Sequence, residues 1–174
     1  MTSGLLQTLS RAIGTDEFVT ALERSAREFP EYRAQLPTIP YAYTRTRLID
    51  APHFEVVAML WSPGSVSPIH DHGLSQCWVL MMEGALEVDN FEREGDPADT
   101  PVLLRETGRL TLTPGDLDHR LVPREMHRVS NKSKEPAYSL QLYAHPISEY
   151  RIVDEHTLTS RLVSAVTDLQ LLLD

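Results

Sequence analysis

The strongest constraint on this chain is the triplet His70-Asp-His72, which lies between Gly64 and Gly84. Side chains alternate between the two faces of a β-strand, so histidines two residues apart project from the same face. Two imidazoles held side by side on a rigid strand form half of a metal site. The segment just before them reads as two extended stretches separated by a Pro-Gly turn. The chain therefore predicts a mononuclear metal centre within a β-structure.

A third ligand is expected downstream, where His127 is followed four residues later by Asn131. His119 is the alternative third ligand, although its Pro-Gly-Asp-Leu-Asp context predicts a turn and no asparagine follows at that spacing. Imidazole suits iron, zinc, copper and nickel, so the ligand type does not select the metal. The remaining histidines are interpreted as surface groups: His53, His145 and His156.

Composition bounds the class of protein. With 174 residues, 41% apolar and 24% charged, the chain is expected to fold as one domain with an ordinary core. A net charge of −9 argues against nucleic acid or an anionic membrane as partner. One cysteine allows no internal disulfide, and neither a signal peptide nor a membrane span is evident. The chain is therefore predicted to be cytoplasmic, as a monomer or weak homodimer.

Helical spacing is confined to the two ends. Residues 1–36 predict a helical cap: Ser3 begins a helix that Gly14 ends, and Thr15 begins a second that Pro30 ends. Residues 147–174 form a tail in which leucine and valine recur at helical spacing from Leu158 onward, which predicts a possible C-terminal helix. That helix would pack on the core or on a second subunit, and the spacing does not distinguish these.

Residues 41–146 change to short alternating runs separated by Pro, Gly, Asn and Asp, which predicts an all-β core of the jelly-roll barrel kind. Residues 89–101 are polar and predict an exposed connection. The predicted strands are Tyr41–Ile49, Phe54–Trp61, Gln76–Met82, Ala85–Phe91, Val102–Glu106, Arg109–Thr113 and Tyr138–Ala144.

The glycine-framed histidine pair with Cys77 resembles the first motif of the cupin superfamily, and His127-x3-Asn131 resembles the end of its second motif. Over residues 41–146 the chain is similar to the cysteine dioxygenases, which are thiol dioxygenases with a cupin β-barrel. The resemblance implies an Fe(II) ion held by His70, His72 and His127, and a reaction in which both atoms of O₂ enter the thiol of L-cysteine to give the sulfinate. The further matching segments are Tyr43-Thr-Arg45, Trp61 and Glu135–Tyr143.

The resemblance also assigns roles at the substrate end. Arg45 matches an arginine that binds the substrate carboxylate, a task for which a fork of guanidinium donors is well shaped. Arg47, two residues along on the same face, is the alternative. Tyr43 matches a tyrosine that lines the pocket. Cys77 and Tyr143 match a pair that some members join by a thioether, and whether the bond forms here stays open.

Gln141 is the sharpest departure from the family pattern. Ser139, Gln141 and Tyr143 alternate on one predicted strand, where the family has Ser-His-Tyr. An amide donates and accepts hydrogen bonds but does not titrate near neutral pH, so a proton relay to the tyrosine is weakened.

The sequence is therefore compatible with three functions. The first is oxidation of L-cysteine to the sulfinate. The second is an oxygenase that acts on another small thiol acid, such as 3-mercaptopropionate, or takes cysteine beyond the sulfinate with loss of the carboxylate. The third is a cupin that binds a metal without oxygenase activity. A zinc hydrolase or isomerase is less favoured, because a carboxylate ligand and an obvious general base are missing from the predicted site.

Overall fold

Strands make up most of the chain, a computed structural model that describes residues 20, 24–96, 100–120 and 125–171. Within this part, residues 24–27 are helical and are followed by a short helix (Phe29–Tyr32) and a 3₁₀ turn (Arg33–Gln35). The strands are β1 (Tyr43–Ala51), β2 (Phe54–Trp61), β3 (Ile69–His70), β4 (Gln76–Glu83), β5 (Leu86–Glu94), β6 (Leu103–Leu112), β7 (Leu117–Arg120), β8 (Glu125–Ser130), β9 (Ala137–Ala144), β10 (Glu149–Asp154), β11 (Thr159–Ser164) and β12 (Leu169–Gln170).

Two six-stranded sheets face each other. The first has the order β12-β1-β2-β9-β4-β7 and the second the order β11-β10-β3-β8-β5-β6. Neighbouring strands are antiparallel except β12, which lies parallel to β1. The all-β class predicted from the alternating pattern is confirmed.

The first sheet is covered on both faces. Its inner face meets the second sheet in a core that includes Val57, Met59 and Val79 from the first sheet and Val88 and Val129 from the second. Its outer face packs against the helical segment, which contributes Ala26, Phe29, Tyr32 and Leu36. Every residue of β2 is consequently buried. Two-sided burial explains why this strand is almost continuously apolar and was easily predicted.

Gly84, at the turn between β4 and β5, lies in close contact with the start of β9. It has a φ of +78°, and a Cβ at this position would lie 2.9 Å from the Cα of Ala137. A side chain would therefore meet both a strained backbone and a neighbouring chain, and glycine is required. This explains one end of the glycine frame noted in the sequence.

Several predicted boundaries in the middle of the chain are wrong. The polar stretch 89–101 was expected to be a loop, but β5 continues to Glu94, with Asp89 and Arg93 buried. The two strands predicted around Gly108 are one strand, β6. The strands β7 and β8 were not predicted. Charged residues in these segments form ion pairs or face solvent at a sheet edge. A polar sequence was therefore compatible with a strand and did not indicate a loop.

The predicted C-terminal helix is wrong. Residues 149–170 instead form β10, β11 and β12, which join both sheets. A turn after β10 is fixed by Asp154, whose Oδ1 accepts the backbone N–H groups of His156 and Thr157, and Leu158 has a φ of +52°. Turn chemistry and β-branched residues therefore prevail over the helical spacing of the leucines.

At the other end, the predicted Ser3–Gly14 helix lies outside the described residues. The second helix was expected to end at Pro30, but Pro30 lies in the first turn of the short Phe29–Tyr32 helix. Proline is tolerated there because the first turn needs no N–H donor. Among the described residues, no helix is long and apolar enough to cross a membrane.

Candidate metal centre and substrate pocket

Three histidines from separate parts of the chain come together between the sheets. His70 ends β3 and is directly opposite His127 on β8, while His72 follows two residues after His70. Their ligand atoms all lie within 4.8 Å of one another, and the Nε2 atoms of His70 and His127 are 3.2 Å apart. Two imidazole nitrogens that bind one ion at right angles, each at about 2.1 Å, are about 3 Å apart. The observed spacing fits that arrangement.

The protonation of His70 is fixed by its neighbour. Its Nδ1 lies 3.0 Å from the carbonyl oxygen of Pro68. A carbonyl only accepts hydrogen bonds, so Nδ1 carries the proton and Nε2 presents its lone pair toward His127. A backbone carbonyl that orients a histidine ring in this way is a common outer contact of metal-binding histidines.

Burial keeps all three imidazoles neutral. Removal from water lowers the pKa of His70, and it lowers the pKa values of His72 and His127 well below the usual range. The mutual repulsion of protonated rings adds to the effect at His72 and His127. Neutral imidazole is the form that binds a metal. The donor set therefore fits a divalent transition ion, and its three uncharged ligands leave the ion able to bind an anion as well.

Asp71 holds the histidine pair in place. It is buried, and its Oδ1 accepts the backbone N–H groups of Gly73 at 3.0 Å and of Arg151 at 2.8 Å. The bond from Arg151 joins the loop after β3 to β10. The sequence had predicted that β10 belongs to a helical tail. These two bonds consequently hold Asp71, and with it the backbone between His70 and His72, in one conformation.

Asn131 links the third ligand to the turn that precedes the first. Its Nδ2 donates to the carbonyl oxygens of Trp61 and Glu135 at 2.8 and 2.9 Å. Its backbone exchanges hydrogen bonds with Gly64 and Ser65 across the Pro-Gly turn. The His127-x3-Asn131 spacing thus has a structural reason, because Asn131 fastens the end of β8 to the turn leading into β3.

His119 lies elsewhere. It is on β7 rather than in the expected turn, and its ring stacks on Trp78 with centroids 4.3 Å apart. Trp78 belongs to the outer core cluster, on the face of β4 opposite to Cys77. His119 is therefore separated from the other three histidines by the sheet.

A cavity of about 420 Å³ opens onto the histidines. Its wall includes Tyr43 and Trp61, whose rings lie 4.7 Å apart, and Tyr150, whose ring lies 5.8 Å from that of His70. Burial raises the pKa of Tyr43 to about 12, with smaller contributions from Tyr150 and Asp168. The wall therefore presents several aromatic rings, and its charged residues are Arg45 and Asp168.

Arg45 and Arg47 differ in position as well as in contacts. Arg45 lines the cavity, and its guanidinium donates from Nη1 to Thr167 at 2.7 Å and from Nη2 to Glu55. Arg47 donates from Nε to Glu55 and from Nη1 to Asp50, both at 3.0 Å, and does not line the cavity. Of the two candidates for binding a carboxylate, Arg45 is therefore the one in contact with the site.

The predicted trio on β9 shares the inner face but is not one relay. The hydroxyl of Tyr143 donates to Oε1 of Gln141, whereas the Oγ of Ser139 accepts from Nε1 of Trp61 at 3.1 Å. Tyr143 and Gln141 both line the cavity. Burial raises the pKa of Tyr143 well above its ordinary value, so the phenol is protonated at neutral pH.

Cys77 is fully buried and lies directly across from Tyr143 in the pairing of β4 with β9. Opposed residues on antiparallel strands bring their Cβ atoms to about 5 Å. Burial raises the pKa of the thiol, although a hydrogen bond with Tyr143 opposes this. The pair is adjacent, and the thioether itself stays a prediction.

Sequence reasoning missed three contributors to the cavity region: Glu55, Thr167 and Asp168. The last two lie before β12, in the segment assigned to a helix. Glu55 had a usable signal, because it is the one charged residue in the otherwise apolar strand Phe54–Trp61. A charge inside a buried strand implies a partner, and here the partners are the two arginines.

Comparison with known proteins gives a consistent assignment. A family model for cysteine dioxygenase type I matches residues 4–156. Cysteine dioxygenase type 1 of Danio rerio is 31% identical over 120 residues, which cover 67% of this chain and 58% of the relative. The enzyme of Rattus norvegicus is 28% identical over 148 residues, covering 83% and 72%. The chain thus spans between about half and three quarters of these relatives.

Solved structures support the fold. A Klebsiella pneumoniae protein with a double-stranded β-helix domain superposes with a TM-score of 0.52 at 17% identity, covering 72% of this chain and 94% of its own. A Thermus thermophilus protein superposes with a TM-score of 0.51 at 18% identity, covering 65% and 93%. The fold is that of the cupins, and the chain belongs to the cysteine dioxygenase type I family.

Proposed function

We propose that this protein is a non-haem Fe(II) thiol dioxygenase that oxidises L-cysteine with O₂ to cysteine sulfinate. The observation that carries the proposal is the convergence of His70, His72, Arg45 and Tyr143 on one cavity, with His127 completing the three-histidine group. Family membership supplies the reaction class. Four electrons pass from the thiol sulfur to O₂, and both oxygen atoms end on sulfur.

His70, His72 and His127 would hold the iron, which supplies a binding position for thiolate and O₂ and the electron exchange between them. Because three neutral ligands leave the charge of the ion uncompensated, the site favours an anionic co-ligand such as a thiolate. The aromatic wall of the cavity limits the water around the reacting sulfur, which strengthens electrostatic interactions there.

Arg45, which lines the cavity, would bind the substrate carboxylate through guanidinium hydrogens beyond those donated to Thr167 and Glu55. Tyr143 would direct its hydroxyl to the oxygen atoms that are transferred. Its single proton is donated to Oε1 of Gln141 in this structure and would have to turn from there to the transferred oxygen. Gln141 does not titrate, so the tyrosine would act as a hydrogen-bond donor rather than through a histidine relay. Cys77, directly opposite, limits the movement of the Tyr143 ring whether or not the thioether forms.

Oxygen consumption by the Fe(II)-loaded protein tests this directly. We expect uptake that depends on L-cysteine, with cysteine sulfinate as the product detected by mass spectrometry. Absence of uptake with L-cysteine and with other small thiols would contradict an oxygenase and leave a metal-binding cupin as the function.

A second candidate rests on Gln141, which replaces the titratable residue of the family pattern. The protein would then oxidise another small thiol acid, such as 3-mercaptopropionate, or carry cysteine beyond the sulfinate with loss of the carboxylate. The same mass spectra distinguish these, because each product has a different mass.

We also predict that the protein is a single domain, lies in the cytoplasm and is a monomer or weak homodimer.

A further inference from the structure

Glu55 is a buried carboxylate with three donors. Its side chain has no solvent exposure. Oε1 accepts from Nη2 of Arg45 and from the backbone N–H of Ile147 at 3.1 Å, and Oε2 accepts from Nε of Arg47 at 3.0 Å. A carboxylate taken out of water requires hydrogen-bond donors of this kind, and here two of the three come from arginines.

The position of Glu55 relates it to the substrate cavity. It lies on β2 at alternating positions with Val57, Met59 and Trp61, all of which belong to the core between the sheets, and it pairs across the sheet with Tyr143. Arg45 lines the cavity, whereas Glu55 does not. The carboxylate is therefore placed behind the guanidinium as seen from the substrate.

This arrangement changes what Arg45 presents to a substrate. Arg45 and Arg47 together contact three carboxylates, because Asp50 pairs with Arg47 and Asp168 accepts the backbone N–H of Arg45 at 2.7 Å. A substrate carboxylate in contact with Arg45 would be about twice as far from Glu55. Coulomb energy falls with distance, so the repulsion cancels about half of the attraction. The arginine keeps its hydrogen-bond donors but loses much of its charge selectivity.

We propose that Glu55 determines substrate specificity: it offsets the charge of Arg45, so that the cavity accepts small thiols whether or not they carry a carboxylate. This proposal rests on the proposed thiol dioxygenase function. It widens the substrate class from cysteine to small aminothiols. An unpaired arginine in the same place would strongly favour a carboxylate.

The wild-type protein provides the first test. L-Cysteine and 2-aminoethanethiol differ by one carboxylate, and their dissociation constants for the Fe(II)-loaded protein can be measured by calorimetry without oxygen. We expect the two constants to differ by less than about tenfold. A larger preference for L-cysteine would overturn the proposal. Oxygen uptake is measured in parallel, and its absence with both thiols would contradict the proposed function instead.

Glu55→Gln provides the second test, with Glu83→Gln as its matched control. Glu83 also pairs with an arginine, Arg33 at 2.7 Å, but it lies outside the cavity. We expect Glu55→Gln to increase the preference for L-cysteine over 2-aminoethanethiol by about tenfold, and Glu83→Gln to leave it unchanged. An unchanged or reduced preference would show that Glu55 only orients Arg45. If Glu55→Gln does not fold, the ratio of the wild-type dissociation constants for L-cysteine and 2-aminoethanethiol tests the proposal by itself.

Discussion

The metal end and the substrate end of the cavity are built differently. At the metal end, His70 and His127 are cross-strand neighbours on β3 and β8, and the carbonyl of Pro68 orients the His70 ring. Asp71 and Asn131 fix the backbone segments next to these ligands through hydrogen bonds with Arg151 and Trp61. At the substrate end, Arg45 depends on Glu55 from β2 and on Thr167, 122 residues away in sequence. Both ends join parts of the chain that are distant in sequence, but the metal end presents three neutral imidazoles, whereas the substrate end is a network of charged side chains.

This difference suggests which end is free to vary. A metal site requires a set number of donors at set distances, so the loss of one ligand removes its function. Loss of one group from the ion network leaves the metal ligands in place and changes the charge that a substrate meets. We therefore expect mutations at the metal end to act on all activity, and mutations at the substrate end to act on selectivity.

The largest effect is expected from His72→Ala. Two imidazoles are insufficient to retain a ferrous ion, so both the iron content per chain and oxygen uptake should fall to background. Iron is measured by atomic emission after desalting. His119→Ala is the matched control and should retain iron, since His119 stacks on Trp78 outside the group. Full iron retention by His72→Ala would overturn the ligand assignment.

Tyr143→Phe should have the next largest effect. It removes one hydroxyl while keeping the ring packed against Cys77, and we expect kcat to fall by about a hundredfold with little change in KM. Steady-state oxygen uptake separates the two constants. If KM rises instead and kcat is kept, the hydroxyl serves substrate binding rather than the chemical step.

Arg45→Ala should act on binding alone. We expect KM for L-cysteine to rise by up to about tenfold, with kcat and the KM for 2-aminoethanethiol nearly unchanged. Arg47→Ala distinguishes the alternative. A rise in KM for Arg47→Ala but not for Arg45→Ala would assign carboxylate binding to Arg47, against the position of its side chain outside the cavity.

The smallest effect is expected from His119→Phe, a substitution away from both ends of the cavity, on the pH dependence of the free energy of unfolding. Burial lowers the pKa of His119, so its neutral form stabilises the fold fully above its unfolded pKa of about 6.5. That contribution is lost as pH falls from 6.5 through the lower folded pKa. His119→Phe should therefore lose less stability than wild type between pH 7.5 and 5.0, by under about 1 kcal/mol, since His119 is partly exposed. Urea unfolding at both pH values measures this, and equal losses would contradict it.

The contrast between the ends also explains what the sequence could predict. His70 and His72 follow from strand alternation alone, and the glycines around them mark turns that only glycine can form. Strand β8 was missed although it carries His127, because its partner strands are distant in sequence and its two partly buried positions, Glu125 and Arg128, are charged. Register across a sheet is a tertiary property, so the sequence offered His127 as a third ligand, with His119 as the alternative, but did not place it opposite His70.

The substrate end was harder for a related reason. Leucines at helical spacing predicted a helix in the tail, but Asp154 forms a turn and the next strands join the sheets. The segment that carries Thr167 was consequently assigned no role in the site. Glu55 could have been noticed as a charge in an apolar strand, but its two arginine partners lie on the neighbouring strand, β1, where Asp50 rather than an arginine is directly opposite Glu55. Contacts of this kind follow from packing, not from local pattern.

Isotope labelling tests the central claim most directly. The Fe(II)-loaded protein is supplied with L-cysteine and ¹⁸O₂ in ordinary water, and the product is examined by mass spectrometry. The account predicts cysteine sulfinate with both oxygen atoms labelled, because O₂ supplies both. Sulfinate with one or no labelled oxygen, or no thiol-dependent product at all, would contradict a thiol dioxygenase.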